Sequence, residues 1–312
     1  MVGVFKGILT HQTISTDDFN KLMTMPTDEI KNWANSGVKI VENTDMLYHI
    51  MARSIADVII NNNNKKLNTK IILPVGPTSQ YAILASIINK EKISLADTWF
   101  FFMDEYLDWE SRWVPESHPM SFRGFMDKNL FSLIDKKFSL KKEQIIFPDP
   151  ADLDYNDNKI DELGGIDTCY GGLGYHGHIA FNEPYNTYFS RMTIEQFLNS
   201  RTRIVDLNSD TFIINSLSSI GGNCYDLPPK AVTIGMKPIM GAKKIEIYCG
   251  SGHLRWQLAS FRLALMHPPT LDRPGTLLQL HDNPRKSVLF IADKITAQPI
   301  QMKLTGKPVV KI

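Results

Sequence analysis

Two histidines and a glutamate stand close together in YGGLGYHGHIAFNEP, residues 170–184. His178 has the residue type of an acid/base group near neutral pH. Glu183, five residues on, is the carboxylate that would bind its far ring nitrogen, fix its tautomer and raise its basicity. Gly172 and Gly174, beside Gly171, would let the backbone pass close to a ligand. Glycine-rich loops rarely bury two imidazoles, so a core role for both His176 and His178 fits poorly. A second chemistry uses the same atoms: His176-x-His178 with Glu183 or Asp104 carries the donor types of a zinc-like site, although no fourth ligand is evident in the sequence.

Upstream, Asp104 and Glu105 follow the aromatic run ending at Phe102. Successive residues of extended backbone point to opposite faces, so a given pocket receives one of the two. A carboxylate there is a candidate proton-transfer base with its pKa set by the pocket; the alternative is a solvated acidic turn that caps a helix. The loop LPVGPTS, residues 73–79, follows another strand and opens a helix. Backbone N–H groups near Gly76 and Pro77 and the hydroxyl of Thr78 or Ser79 can face an anion there, helped by the helix dipole. The loop lacks the P-loop lysine and the dinucleotide glycine pattern, and an ordinary strand-to-helix turn is the plainer reading.

Positioning these groups requires a scaffold, and the chain supplies a repeated strand, loop, helix grammar. Apolar runs at residues 71–75, 98–103, 168–170, 231–234, 245–249 and 288–291 read as buried strands. Helical patterns include Leu47, Ile50, Met51, Ile55 and Val58, with Thr44 and Asp45 as N-cap candidates and residues 61–66 as the stop. Others carry Tyr81, Leu84, Ala85 and Ile88, or Phe122, Phe125, Met126 and Leu130, the latter started by Ser117 with Pro119 in its first turn. Continuous apolar strands alternating with helices predict an α/β fold with a mostly parallel sheet covered on both faces. Ligands then bind beyond the carboxyl ends of the strands. Residues 1–37 read as an N-terminal extension and 38–312 as the main domain, with no internal repeat.

With 43% hydrophobic and 21% charged residues over 312 positions, the chain is globular and not disordered, collagenous or coiled-coil. Lys plus Arg number 34 against 33 Asp plus Glu, which leaves no electrostatic footprint for nucleic acid or an acidic membrane and favours a small polar partner. Cys169, Cys224 and Cys249 are too widely spaced for a disulfide framework or zinc knuckle and read as reduced thiols. The first residues lack a signal-peptide pattern, and no apolar run reaches the roughly 18 residues of a membrane helix, so a soluble cytoplasmic protein is expected.

Seven blocks in order, LPVGPTS, FFMDEY, SHPMSFRGFM, GGLGYHGHIAFNEP, SRTRIV, PPKAVTIGMKPIMGAKKIEIYCGS and TLLQLH, span about residues 40 to 295. Together they resemble the glucosamine-6-phosphate deaminase family of aminosugar-phosphate isomerases. The resemblance implies a three-layer Rossmann-like fold, a homo-oligomer, and conversion of an aminosugar 6-phosphate to fructose 6-phosphate and ammonia without redox cofactor or metal. It implies Asp104 as the carboxylate that moves a proton between C2 and C1 of the opened sugar. His178, oriented by Glu183, would open the ring.

Three departures from the family pattern bear on the substrate. His176 stands where the family has an aspartate that works with the catalytic histidine. Pro77 replaces a glycine in the family's LPTGGTP loop and removes a backbone donor. The family's phosphate-binding lysine falls on His253 and its arginine near Leu217 or Leu207; Arg255, Arg203, Arg201 and Arg191 are nearby substitutes. Residues 185–200 form a longer link than usual. Two other readings therefore accompany the deaminase: the same fold acting on a sugar without a 6-phosphate or otherwise altered, and a sugar-phosphate binding protein of weak activity. The related 6-phosphogluconolactonases make hydrolysis the nearest different reaction.

Overall fold

The computed structural model describes residues 14–76, 78–184, 192–250 and 255–300. In chain order it runs through α1 (Thr16–Thr24), α2 (Ile30–Trp33), β1 (Gly37–Val41), α3 (Thr44–Asn64), β2 (Thr69–Leu73), α4 (Gln80–Glu91), β3 (Thr98–Phe102), β4 (Asp104–Leu107) and α5 (Phe122–Asn129). There follow β5 (Ile145–Ile146), α6 (Tyr155–Glu162), β6 (Thr168–Gly171), α7 (Ile194–Leu198), β7 (Arg203–Asp206), α8 (Ser209–Ser219), β8 (Lys230–Thr233), α9 (Met236–Met240), β9 (Lys244–Cys249), α10 (Gln257–Met266), α11 (Pro284–Ser287) and β10 (Val288–Asp293).

Seven strands form one sheet in the order β1-β10-β9-β6-β2-β3-β5, every neighbouring pair parallel. Alternation along the strands divides the core. Ile71, Leu73, Phe100 and Phe102 face α3 and α4, where Leu47, Met51, Ile55, Leu84 and Ile88 meet them. Ile72, Phe101, Cys169 and Ile245 face the other way, onto Ile30, Ile160, Phe261 and Leu265. Both faces are therefore apolar and covered, giving the α/β sandwich of three layers that the sequence pattern predicts.

The run 231–234 departs from that expectation. As β8 it is the centre of a separate antiparallel sheet, β4-β8-β7, in which Thr233 lies opposite both Asp104 and Arg203. A short buried run does not reveal its partner's direction. Two helix starts also differ from the sequence reading. Asn43, not Thr44 or Asp45, caps α3 by accepting from the Met46 N–H at 2.9 Å, while the Thr44 hydroxyl donates to Asp293. Ser121, not Ser117, caps α5, because residues 115–121 are spent in two tight turns before the helix begins.

Ahead of β1, α1 and α2 are docked: Leu22, Met23, Met25, Ile30 and Ala34 are buried. Arg262 of α10, itself fully buried, donates to the carbonyls of Leu22, Met25, Ala297 and Gln298 at 2.6–3.0 Å. Cys169 and Cys249 are buried and Cys224 exposed, all three as free thiols. Among the described residues no helix is long and apolar enough to cross a membrane.

Candidate active site

A cavity of about 420 Å³ opens where the carboxyl ends of β2, β3, β6 and β9 meet the small sheet and α8. Two other clefts of about 590 Å³ lie elsewhere, one lined by Asn61, Lys65, Asp167 and Lys243 and one by Trp113, Arg123, Asp127 and Lys142. Neither holds a histidine or any of the residues singled out in the sequence as catalytic.

The bend between β3 and β4 decides the fate of the paired carboxylates. Asp104 lines the cavity at 6% exposure, and burial first, with the charge of Glu105 second, pushes its pKa up to about 8. Glu105 points the opposite way. It accepts from the N–H groups of Phe122 and Arg123 at 2.9 and 2.8 Å, from the Ser121 hydroxyl, and from Arg123 Nε at 3.1 Å. Thus of the two neighbours Asp104 faces the cavity and Glu105 holds the start of α5.

Beyond β6 the glycine-rich loop folds back on itself, with Gly174 N donating to the His178 carbonyl and Gly177 N to that of Gly174. Gly172, Gly174 and the His178 ring line the cavity. A Cβ on Gly174 would lie 1.8 Å from His178 Nε2, so only glycine fits against this imidazole. Burial, then the neighbouring His176, drops the His178 pKa to about 3 and keeps the ring neutral. Its Nδ1 lies 3.8 Å from Glu183 Oε1, adjacent but beyond hydrogen-bonding distance. The other Glu183 oxygen accepts from Asn208 N at 2.8 Å, and burial raises the pKa of this carboxyl.

His176 does not line the cavity; its Nε2 is hydrogen-bonded to Asp210 Oδ2 in the first turn of α8. Burial opposes charge on Asp210, but the His176 contact and the backbone N–H groups of Asp210 and Thr211 together outweigh it and the Asp210 pKa is lowered. Of the first loop, Gly76 reaches the cavity with Pro74 and Val75, and the Tyr81 hydroxyl holds the Pro74 carbonyl. Thr78 and Ser79 do not line it; Ser79 is exposed and engages Tyr48 through its side chain. Pro77, His253 and Arg191 lie outside the described residues.

No family model matches the chain. Among curated proteins, a glucosamine-6-phosphate deaminase of Phocaeicola vulgatus is 37% identical over 183 residues, 57% of this chain and 62% of that one. The glucosamine-6-phosphate deaminase of Caenorhabditis elegans is 31% identical over 276 residues, 85% of this chain and 92% of that one. The chain belongs to the glucosamine-6-phosphate deaminase family. Its fold matches that of a monomeric glucosamine-6-phosphate deaminase with a TM-score of 0.69 at 24% identity, covering 84% of this chain and 98% of the other.

Within this deaminase family member, the described candidates for the expected cations, Arg255, Arg203, Arg201 and the neighbourhoods of Leu217 and Leu207, bring no lysine or arginine to the cavity. Arg255 has a left-handed backbone (φ 51°) and does not line it, although Trp256 and Gln257 beside it do. Arg201 is engaged with Asn158, Asp154 and Asp157. Leu217 is 53% exposed, and α8 instead offers Asn215, Ser218 and Ser219. Among the described residues, the cavity lining contains no lysine or arginine, and it is rich in rings: Tyr48, Tyr106, Phe122, Phe181, Tyr248 and Trp256. Sequence reasoning missed these rings and Asp210. Asp210 reads along the chain as an acidic first-turn residue, and only the tertiary fold brings it to His176, 34 positions away.

Proposed function

We propose that the chain is an aminosugar-phosphate deaminase and isomerase, converting glucosamine 6-phosphate or a related aminosugar to fructose 6-phosphate and ammonia. The observation that carries this reading is the sharing of one cavity by the Asp104 carboxyl and the neutral His178 ring, with Glu183 behind the latter. An aldose-to-ketose shift needs two separate proton-transfer groups, one at the ring oxygen and one along the carbon chain. His178 would move the proton that opens the ring. Asp104 would take the C2 proton and return it to C1, leaving an imine at C2 that adds water and expels ammonia. A carboxylate with a pKa near 8 is a much stronger base than an exposed aspartate and is suited to a carbon acid at neutral pH. None of these steps calls for a redox cofactor.

A second reading has one specific support. The lack of lysine and arginine among the described lining residues, beside six aromatic rings, suits a sugar presented by its C–H faces rather than by a 6-phosphate. Incubation with glucosamine 6-phosphate, galactosamine 6-phosphate and the unphosphorylated sugars, with ammonia and ketose measured, separates the two readings. Turnover in the ordinary enzyme range excludes a role limited to binding; no turnover of any of the four, and no change with Asp104→Asn, would overturn the enzyme. A cytoplasmic homo-oligomer belongs to the same proposal, supported by the exposed Ile213 and Leu217 one turn apart on α8, and light scattering measures its size.

A further inference from the structure

We propose that His176, His178 and Glu183 form a site for a divalent transition-metal cation of the zinc type, with Asp210 orienting His176. One ligand atom from each of the three residues lies within 4.8 Å of the other two. His176 Nδ1, His178 Nδ1 and Glu183 Oε1 are shut off from solvent and have no hydrogen-bond partner among the described residues, with the Thr211 hydroxyl beside the Glu183 carboxyl. A buried polar atom left unpaired costs about 1–3 kcal/mol, so three in one cluster call for a common partner. A hydrogen bond closed between His178 and Glu183 would satisfy two of them and leave His176 Nδ1 stranded. A cation takes a lone pair from all three.

The fourth component, undetected along the sequence, is the outer one. Asp210 holds His176 Nε2, which leaves Nδ1 as the free lone pair and fixes the ring plane. Metal-bound imidazoles characteristically carry such a carboxylate on their second nitrogen. Two imidazoles and one carboxylate, without thiolate, match zinc, cobalt or nickel better than the all-oxygen sets of calcium and magnesium. Bond lengths of about 2.1 Å set tetrahedral ligands roughly 3.4 Å apart, so the three side chains must close by about an ångström, within reach of small torsional adjustments. Three protein ligands leave one position for water or another donor. Cation and direct His178–Glu183 pairing are alternatives, since both use the same two atoms.

The test uses the full chain without an affinity tag, equilibrated with Zn²⁺ or Co²⁺, freed of excess metal and analysed for bound metal and for visible Co²⁺ absorption. Close to one equivalent is expected, with the intense bands of four-coordinate cobalt. His176→Ala should lose the bands and bind at least tenfold more weakly, and Asp210→Asn should weaken binding by about 10- to 100-fold. Cys224→Ser, which removes the exposed thiol, should change neither. Circular dichroism verifies each fold, and His176→Gln replaces His176→Ala if the latter unfolds. Failure to retain metal, or equal retention after loss of His176, overturns the site. Deaminase assays on the same samples read the sugar chemistry separately, and their failure leaves the metal result standing.

Discussion

Asp104 and Glu105 are neighbours of the same chemistry, and one backbone alternation sends them to different tasks. Asp104 faces the cavity, where burial favours its neutral form and lifts its pKa from 3.8 to about 8. Below pH 4 the carboxyl is protonated in both folded and unfolded chains, and its contribution to stability is fully present. As pH rises, the unfolded chain releases a proton that the folded chain keeps, and the contribution is lost through pH 8. Asp104→Asn removes this ionisation. Its melting temperature should therefore exceed that of the parent by a margin that grows from pH 4 to pH 8, while kcat falls about 100-fold or more. In the parent, kcat/KM should rise with pH toward 8 as the base ionises. A variant that keeps its activity, or whose melting advantage ignores pH, would remove Asp104 from the proton-transfer role.

At the scale of elements, the site depends on how strand ends and helix starts are joined. Glu105, itself fully buried, clasps the first turn of α5 through two backbone N–H groups and the partly buried Arg123. Glu105→Ala would leave Arg123 and the helix N-terminus without that carboxylate and should cost about 3 kcal/mol or more in urea unfolding; Glu105→Gln, which keeps an acceptor, should cost less. The central parallel strands β2, β3, β6, β9 and β10 were legible in the sequence because burial on both faces makes them continuous apolar runs, as at residues 71–75 and 98–103. Strands β1 and β7 were not, since their residues are mostly half-exposed and neither run is uniformly apolar. In the small antiparallel sheet, β4 and β8 join residues more than a hundred positions apart, as in Asp104 opposite Thr233. Separation along the chain also hid the ring-lined cavity and the His176–Asp210 contact, the latter across 34 positions, whereas the glycine loop and its two histidines were visible as local composition.

For the whole molecule, α10 fastens the first and last described segments through one guanidinium. Arg262 donates to Leu22 and Met25 on one side and to Ala297 and Gln298 on the other. Arg262→Ala would strip the guanidinium from four carbonyl oxygens, of which only that of Ala297 keeps another donor among the described residues, the Thr27 hydroxyl, and several kcal/mol of destabilisation is expected at about 1–3 for each oxygen left unpaired where water cannot replace the donor. Hydrogen exchange should show α1 and α2 opening well before the sheet; unchanged protection there would mean that residues 16–34 hold by apolar contact alone. The sheet order carries this joining into the core, for β10 lies between β1 and β9. During synthesis, β1, the first of the described strands to leave the ribosome, has no described neighbour in the sheet until β10, the last of them, follows. Some 250 residues of chain must be made before β1 can pair. An interruption of translation short of β10 would thus leave β1 without its strand neighbour among the described residues and β9 with a bare edge, a template for association with other chains.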